Sequence, residues 1–214
     1  MSRLTASLPW TFLLLLLTQP LLALDLPPAD AWQKTSSHYG ITISMAHRDH
    51  ERLKTVRAEA QFALADHRAL GQLLAHPERF SDWWHMVNHV EEINVNDGEE
   101  WYYLTTRLPL FIPNRDAVIR VEHSDNATAY VVSLSSRPDR HPPDEQLVRI
   151  PELAGEFHIR ILDEQDVMLT YQLILDPGGR VPPTVADSLL REHALYTVKA
   201  LRLALPQLRK SGRS

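Results

Sequence analysis

The chain has 214 residues, of which 44% are hydrophobic and 23% charged, with a formal net charge of −5 and no cysteine. That length suits one domain with a sizeable core, and the composition excludes disulfides, thiol catalysis, cysteine-ligated metals and cysteine-linked lipid anchors. With no long basic cluster to offset the negative charge, nucleic acid is not an expected partner.

The N-terminus has the order of a secretory leader: Arg3, an unbroken apolar run Phe12–Leu17, a continuation Leu21–Leu24 after Pro20, and a small residue, Ala23. Residues 1–23 are therefore expected to be a signal peptide and residues 24–31 a proline-rich lead-in. That implies a periplasmic or secreted protein. The alternative is an uncleaved membrane anchor, which the short, proline-broken run disfavours for a span of ~20 residues.

Alternating Ile41–Met45 reads as a first strand and Leu53–Phe62 as a second. Asp66 suits the cap of a helix carrying Leu70, Leu73 and Leu74, and Ser81 opens a second short helix with Trp83, Trp84 and Met86. Period-two alternation then persists. Strands are expected at Val87–Val95, Trp101–Leu108, Ala117–His123, Ala129–Ser135, Gln146–Ile150, Glu156–Leu162 and Val167–Leu175. The loop Pro109–Asn114 is unusually apolar for a link between strands, and Arg137–Asp144, with three prolines, reads as an exposed connection. Short turns between successive strands favour antiparallel neighbours.

Asp176-Pro177-Gly178-Gly179 stops the last strand, and Pro182-Pro183 suits a helix start. Thr184 to about Leu205 then runs without Gly or Pro. Leu190, Ala194, Val198, Leu201, Leu205 and Leu208 fall on one stripe at helical spacing, and Leu189, Tyr196, Ala200 and Leu203 on an adjoining one. Together they make an apolar arc of about 200°, wider than a surface helix needs. Leu195 falls among the charged residues. The helix reads either as an ordinary core helix or as one that also walls a cavity. The expected fold class is α+β, a curved antiparallel sheet with two short helices after strand 2, wrapped around one long C-terminal helix.

These pieces resemble the START (steroidogenic acute regulatory-related lipid transfer) domain of the helix-grip superfamily, over roughly residues 32–206. The resemblance is carried, in order, by Trp84 before Val90-Glu91-Glu92-Ile93; Trp101-Tyr102-Tyr103; Pro109 to Asp116; Val148-Arg149-Ile150 with Gly155-Glu156-Phe157; and Asp176 to Pro182. Phe111 stands where the family pattern has a second proline. The resemblance implies a lipid-binding domain over residues 32–208, with 209–214 a disordered tail. It implies one lipid or similar apolar molecule held between the sheet and the last helix, no cofactor, a monomer, and transient membrane contact. Leu110, Phe111, Ile112 and Pro113 would form the gate loop. Strand parity turns Tyr102, Leu104, Thr106, Ile119, Val121 and His123 inward, and His193, Ala194 and Val198 would complete the cavity from the helix. The acid and base of sterol-transfer members are replaced by Tyr102 and Val121, which leaves the ligand open.

Arg115 and Asp116 read either as head-group ligands or as a structural pair that fixes the loop, with Arg149 a partner for Asp116. His193 reads as a ligand contact, a base, or a satisfied interior histidine. His85 and His89 have the spacing of a metal pair, but the pattern turns from helix to strand between them, and no metal is expected. Two other functional classes stay open. One is an enzyme of the polyketide cyclase/aromatase type using Tyr102 with His123; the other is a protein-interaction module presenting the Trp101/Tyr103 face.

Overall fold

The structure, a computed structural model, describes residues 27–46, 52–64, 66, 68–93, 98–109 and 111–211. The leader, Asn96 and Asp97 of an expected turn, and Leu110 of the gate loop lie outside the described residues. The fold is α+β. Ten strands form one sheet, β1 (Trp32–His38), β2 (Ile41–Ala46), β3 (Lys54–Ala63), β4 (Val87–Ile93), β5 (Glu100–Thr106), β6 (Arg115–Asp125), β7 (Ala129–Ser136), β8 (Val148–Arg149), β9 (Glu152–Ile161) and β10 (Asp166–Asp176). Its order is β1-β2-β3-β10-β9-β7-β6-β5-β4, antiparallel throughout except that β8 pairs in parallel with the start of β6. Between β3 and β4 the chain crosses from one half of the sheet to the far edge through α1 (Arg68–Leu74), a 3-10 turn (Pro77–Arg79) and α2 (Phe80–Trp83). The Asp66 carboxylate accepts from the Arg68 backbone N–H at 2.9 Å, as a capping acid does. The long helix α3 (Pro183–Ser211) closes the concave side.

The core lies between that concave face and α3. On β3 the inward residues are Val56, Ala58, Ala60 and Phe62, all buried. The two alanines leave room for α3 to seat Ala194, Val198, Leu201 and Leu205 closely, and all four are buried. Gly155 is inward on β9, where an added Cβ would sit 3.1 Å from Leu173 Cδ1 and 3.2 Å from the Gln172 carbonyl. It is thus a mid-strand residue of close packing, and β9 begins at Glu152, ahead of the strand expected at Glu156.

Four expectations are corrected. β1 precedes the strand expected to be first. Its sequence, Trp-Gln-Lys-Thr-Ser-Ser-His, is almost wholly exposed, as an edge strand tolerates, and it turns into β2 through Tyr39 and Gly40, both at positive φ (57° and 69°), the geometry of a tight hairpin. The strand expected at Gln146–Ile150 is only the two-residue β8. The apolar arc of α3 is narrower than the spacing implied: Tyr196 and Leu203 are exposed, while Leu195 packs against the core. The helix also continues to Ser211, through the first part of the expected tail.

The Trp101/Tyr103 face is not exposed either. Trp101, Tyr103 and Val118 form a second, small core on the convex side. The strap after β7 lies over it, with the Arg140 guanidinium 4.9 Å from the Trp101 ring centroid and His141 stacked on Tyr103 at 4.4 Å. Arg149 pins the strap: its guanidinium donates to the Pro138, His141 and Pro142 carbonyls and, at 2.8 Å, to Asp116 Oδ2. Asp116 is fully buried. Burial pushes the Tyr103 hydroxyl pKa up to about 12, reinforced by the adjacent Asp116 carboxylate. Removing one partner of such a pair leaves the other charge uncompensated. Asp116→Ala is therefore expected to lower stability by roughly 2–3 kcal/mol, short of the full cost because Arg149 keeps its carbonyl partners. Chemical denaturation measures this, and an unchanged midpoint would mean that the strap is held without the pair.

Candidate functional site

Two ties fix α3 to the sheet, and a cavity lies between them. The first is a buried polar chain. Trp84, at the C-cap of α2, donates its indole N–H to the Tyr171 hydroxyl of β10 at 2.9 Å. That hydroxyl lies 2.9 Å from His193 Nε2 on α3. The Tyr171 oxygen already accepts from Trp84 and burial keeps the imidazole neutral, so the Tyr171 proton is the one available to be donated to Nε2. One residue on, the His85 N–H donates to the buried Thr197 hydroxyl at 3.1 Å. Around this chain the aromatic rings are dense. Phe157 stacks on Tyr171 at 4.4 Å and meets Trp83 and Trp84 edge-on at 5.6 and 6.2 Å, and Phe80 meets the same two tryptophans edge-on at 5.0 and 5.2 Å. They form a solid plug across the middle of the grip.

The second tie is at the start of α3. Arg115, the first residue of β6, is only 3% exposed. Its guanidinium donates to the carbonyls of Pro113, Pro177 (3.1 Å) and Gly178 (3.4 Å), joining the loop before β6 to the turn before α3. Burial holds its pKa below the ordinary guanidinium value. The turn itself needs glycine. Gly178 has φ 65°, and an added Cβ would lie 2.6 Å from the Arg149 carbonyl.

The cavity has a volume of about 110 Å³. Its walls are Leu104, Thr106 and Leu108 after β5, Leu153 of β9, Leu173 and Leu175 of β10, Val181, and Ala186, Leu189 and Leu190 of α3, with Ile112 from the loop. Trp84 and Met86 border it on the plug side, and Lys54, Arg115 and His193 are its ionisable residues. Among the described residues, three non-glycine residues have positive φ, and two of them, Met86 (71°) and Phe111 (85°), sit at or beside this cavity. Such strain gathers where a site over-determines the backbone.

The structure brings Leu104, Thr106, His193 and Ile112 together at the cavity wall. Tyr102, Ile119, Val121, Ala194 and Val198 are inward and buried, but they belong to the filled core. His123 has inward parity yet lies beyond the covered part of β6. It is exposed, 2.9 Å from the Tyr130 hydroxyl, and makes no pair with Tyr102. Phe111 is wholly exposed and does not lie against α3. Arg115 faces the cavity, while Asp116 and Arg149 lie on the convex side. His85 sits near Glu192 and Tyr196, and His89 near Glu91, so the two do not share a face. The wall residues of β10, Leu173 and Leu175, follow from the same strand parity, while Leu153 lies in the part of β9 that precedes the strand expected at Glu156. Lys54 follows from parity likewise, by its alternation with Val56, Ala58 and Ala60, whereas Trp84 and Met86 have no periodic signal, because they lie past the end of α2.

Burial lowers the His193 pKa to about 4, helped by His85 and opposed by the hydrogen bond to the His85 carbonyl. An unfolded histidine titrates near 6.5. Between those values the unfolded chain binds more protons than the native one, so stability falls as the pH drops from about 6.5 towards 4. Over that window His193 contributes up to about 3 kcal/mol. In His193→Gln, which keeps a donor and an acceptor, the unfolding free energy should lose most of this acid slope. An identical slope in the variant would assign the pH dependence to other groups.

The family model for the START domain matches residues 19–211. An uncharacterized protein of Pseudomonas aeruginosa is 24% identical over 177 residues, 82% of this chain and 87% of that protein. The crystal structure of a STAR-related lipid transfer protein from Xanthomonas axonopodis superposes with a TM-score of 0.73 at 27% identity, over 83% of this chain and 99% of that one. Human STARD10 superposes with a TM-score of 0.74 at 19% identity, over 86% of this chain and 78% of that one. With the match spanning nearly the whole chain, and with the sheet, the closing helix and the cavity in the arrangement described, this chain belongs to the START-domain family.

Proposed function

We propose that the protein binds one lipid or similar apolar molecule in the cavity between the sheet and the first turns of α3, and carries it in the bacterial envelope. The observation that carries this reading is the cavity itself, an almost wholly apolar space with a loop residue, Ile112, as part of its wall. Burying roughly 300 Å² of an apolar guest gains about 7 kcal/mol before ordering costs. The closed volume of about 110 Å³ is well below the ~300–1,000 Å³ of ordinary ligand pockets. A guest of lipid size therefore needs the loop and the start of α3 to move apart. The larger space of about 430 Å³ between α1 and the β6–β7 turn is bordered by Arg68, Gln72, Asp125 and Asn126, a polar lining that suits an apolar guest less.

The cyclase reading is the weaker one. The pair expected for it, Tyr102 and His123, does not meet. The pair that does meet, Tyr171 and His193, is engaged in hydrogen bonds that hold α3 in place.

The loop as door is tested by a crosslink. Ile112→Cys is paired with cysteine at Ala186 or Leu189, which line the same cavity, and the chain has no native cysteine to interfere. Oxidised, the variant should exchange a fluorescent lipid at least about tenfold more slowly than when reduced, as expected if lid opening limits exchange. Equal rates with the crosslink confirmed would refute the door. The protein for this assay comes from the periplasm, where it should begin near Leu24; a chain starting at Met1 in the membrane fraction would make it an anchored protein.

Phe111 stands fully exposed at the tip of this loop, which suits brief contact with a membrane while the door is open. Phe111→Asp should slow transfer between vesicles severalfold, since an exposed apolar anchor is replaced by a charge. Lipid affinity in solution should hardly change. Loss of both together would show that Phe111 supports the cavity and not the membrane contact.

A further inference from the structure

The ionisable residues that line the cavity are Lys54, Arg115 and His193, and no acid lines it among the described residues. They differ in how they are answered. Lys54 has Asp187 at 3.2 Å. His193 is held neutral by burial and pairs with the Tyr171 hydroxyl at 2.9 Å. Arg115 carries a buried positive charge, and its partners are three backbone carbonyls. Other arginines here find carboxylates: Arg149 has Asp116, Arg120 has Glu99 and Glu122, Arg79 has Asp82, and Arg52 has Asp176.

A buried cation balanced only by neutral dipoles is costly. It is also poised to gain from an anion, because a guanidinium has five donors in a planar fork and takes carboxylate or phosphate in two parallel hydrogen bonds. Three of those donors hold carbonyls, which leaves two. The positive end of the long helix α3 adds to the same field, since Val181 and Ala186 line the cavity at that end.

We infer that the cavity selects an amphiphile with an anionic head, a carboxylate or phosphate monoester on an apolar tail, and that Arg115 receives that head. This rests on the lipid-binding reading and names the class of lipid. The inference also gives the door a trigger. The Pro113 and Gly178 carbonyls belong to the two segments that must separate, and Arg115 holds both. An arriving anion, taken on the two remaining donors, draws the guanidinium towards the cavity and weakens its hold on those carbonyls. It loosens the latch as it binds, and its tail fills the space that opens.

The test is a head-group series at constant tail, followed by tryptophan fluorescence, since Trp84 borders the cavity. Dodecanoate and dodecyl phosphate should bind at least about tenfold more tightly than 1-dodecanol, the size of effect that a charge-assisted hydrogen bond supplies. Dodecyltrimethylammonium should bind no better than the alcohol. Arg115→Gln should abolish the preference by weakening the anions at least about tenfold more than it alters dodecanol, and Arg115→Lys should restore part of it. Acetate and inorganic phosphate alone should bind far more weakly than the amphiphiles. Dodecanol binding as tightly as dodecanoate would overturn the inference and leave the cavity reading standing. Equal weakening of both ligands by Arg115→Gln would make Arg115 structural only. Acetate or phosphate binding as tightly as the amphiphiles would make this a simple anion site. Failure of every amphiphile would overturn the cavity reading and this inference together. Should Arg115→Gln not fold, the wild-type series and Arg115→Lys still decide.

Discussion

One guanidinium holds the working end of this molecule together. Arg115 begins β6, yet its donors reach the loop that precedes it and the turn that precedes α3, more than sixty residues away in the chain. Nothing else described joins those segments so directly. Gly178 makes the junction possible, because any side chain there would strike the backbone of β8. The junction is polar and local, and the packing that holds the far half of α3 on β2 and β3 does not run through it.

That far half is anchored by different physics. Ala194, Val198, Leu201 and Leu205 are buried against small residues of β3, and the chain Trp84–Tyr171–His193 is buried and fully partnered. Apolar burial over several turns does not come apart for a ligand, and a satisfied polar chain inside it specifies one seating of the helix. The aromatic plug marks the change from one regime to the other. On one side is a solid core, and on the other a small apolar space closed by a few hydrogen bonds.

Much of this was legible because strand alternation is a direct record of which face is buried. It placed most of the sheet and turned Leu104 and Thr106 to the cavity and Tyr102, Ile119 and Val121 inward. It could not say where along the strands the cavity ends, because that is decided by ring packing between residues distant in sequence, Phe157 on Tyr171 on one hand and Trp83 and Trp84 on the other. It failed for β1, whose edge position needs no apolar face, and for His123, whose parity was right but whose strand outruns its cover. Helical spacing likewise gave the stripe of α3 that packs on β3. It misassigned Leu195, Tyr196 and Leu203, because the tilt of a helix against its sheet is a tertiary property. The Arg115-Asp116 pair in sequence resolved into two separate jobs on opposite faces, as neighbours on a strand must.

The strap over the convex face is held in an unusual currency. The Arg149 partners within it are the carbonyls of Pro138, His141 and Pro142, and carbonyls are common to every residue type. Apart from Arg140 and His141, which cover Trp101 and Tyr103, the side chains of that segment can drift among relatives, while its length cannot, since an inserted or deleted residue would move acceptors off the fork. The loops on Arg115 obey the same rule except at Gly178, where a Cβ would strike the Arg149 carbonyl. Comparison of related chains should find these segments variable in letter and constant in spacing, a pattern that a search for conserved residues alone would pass over.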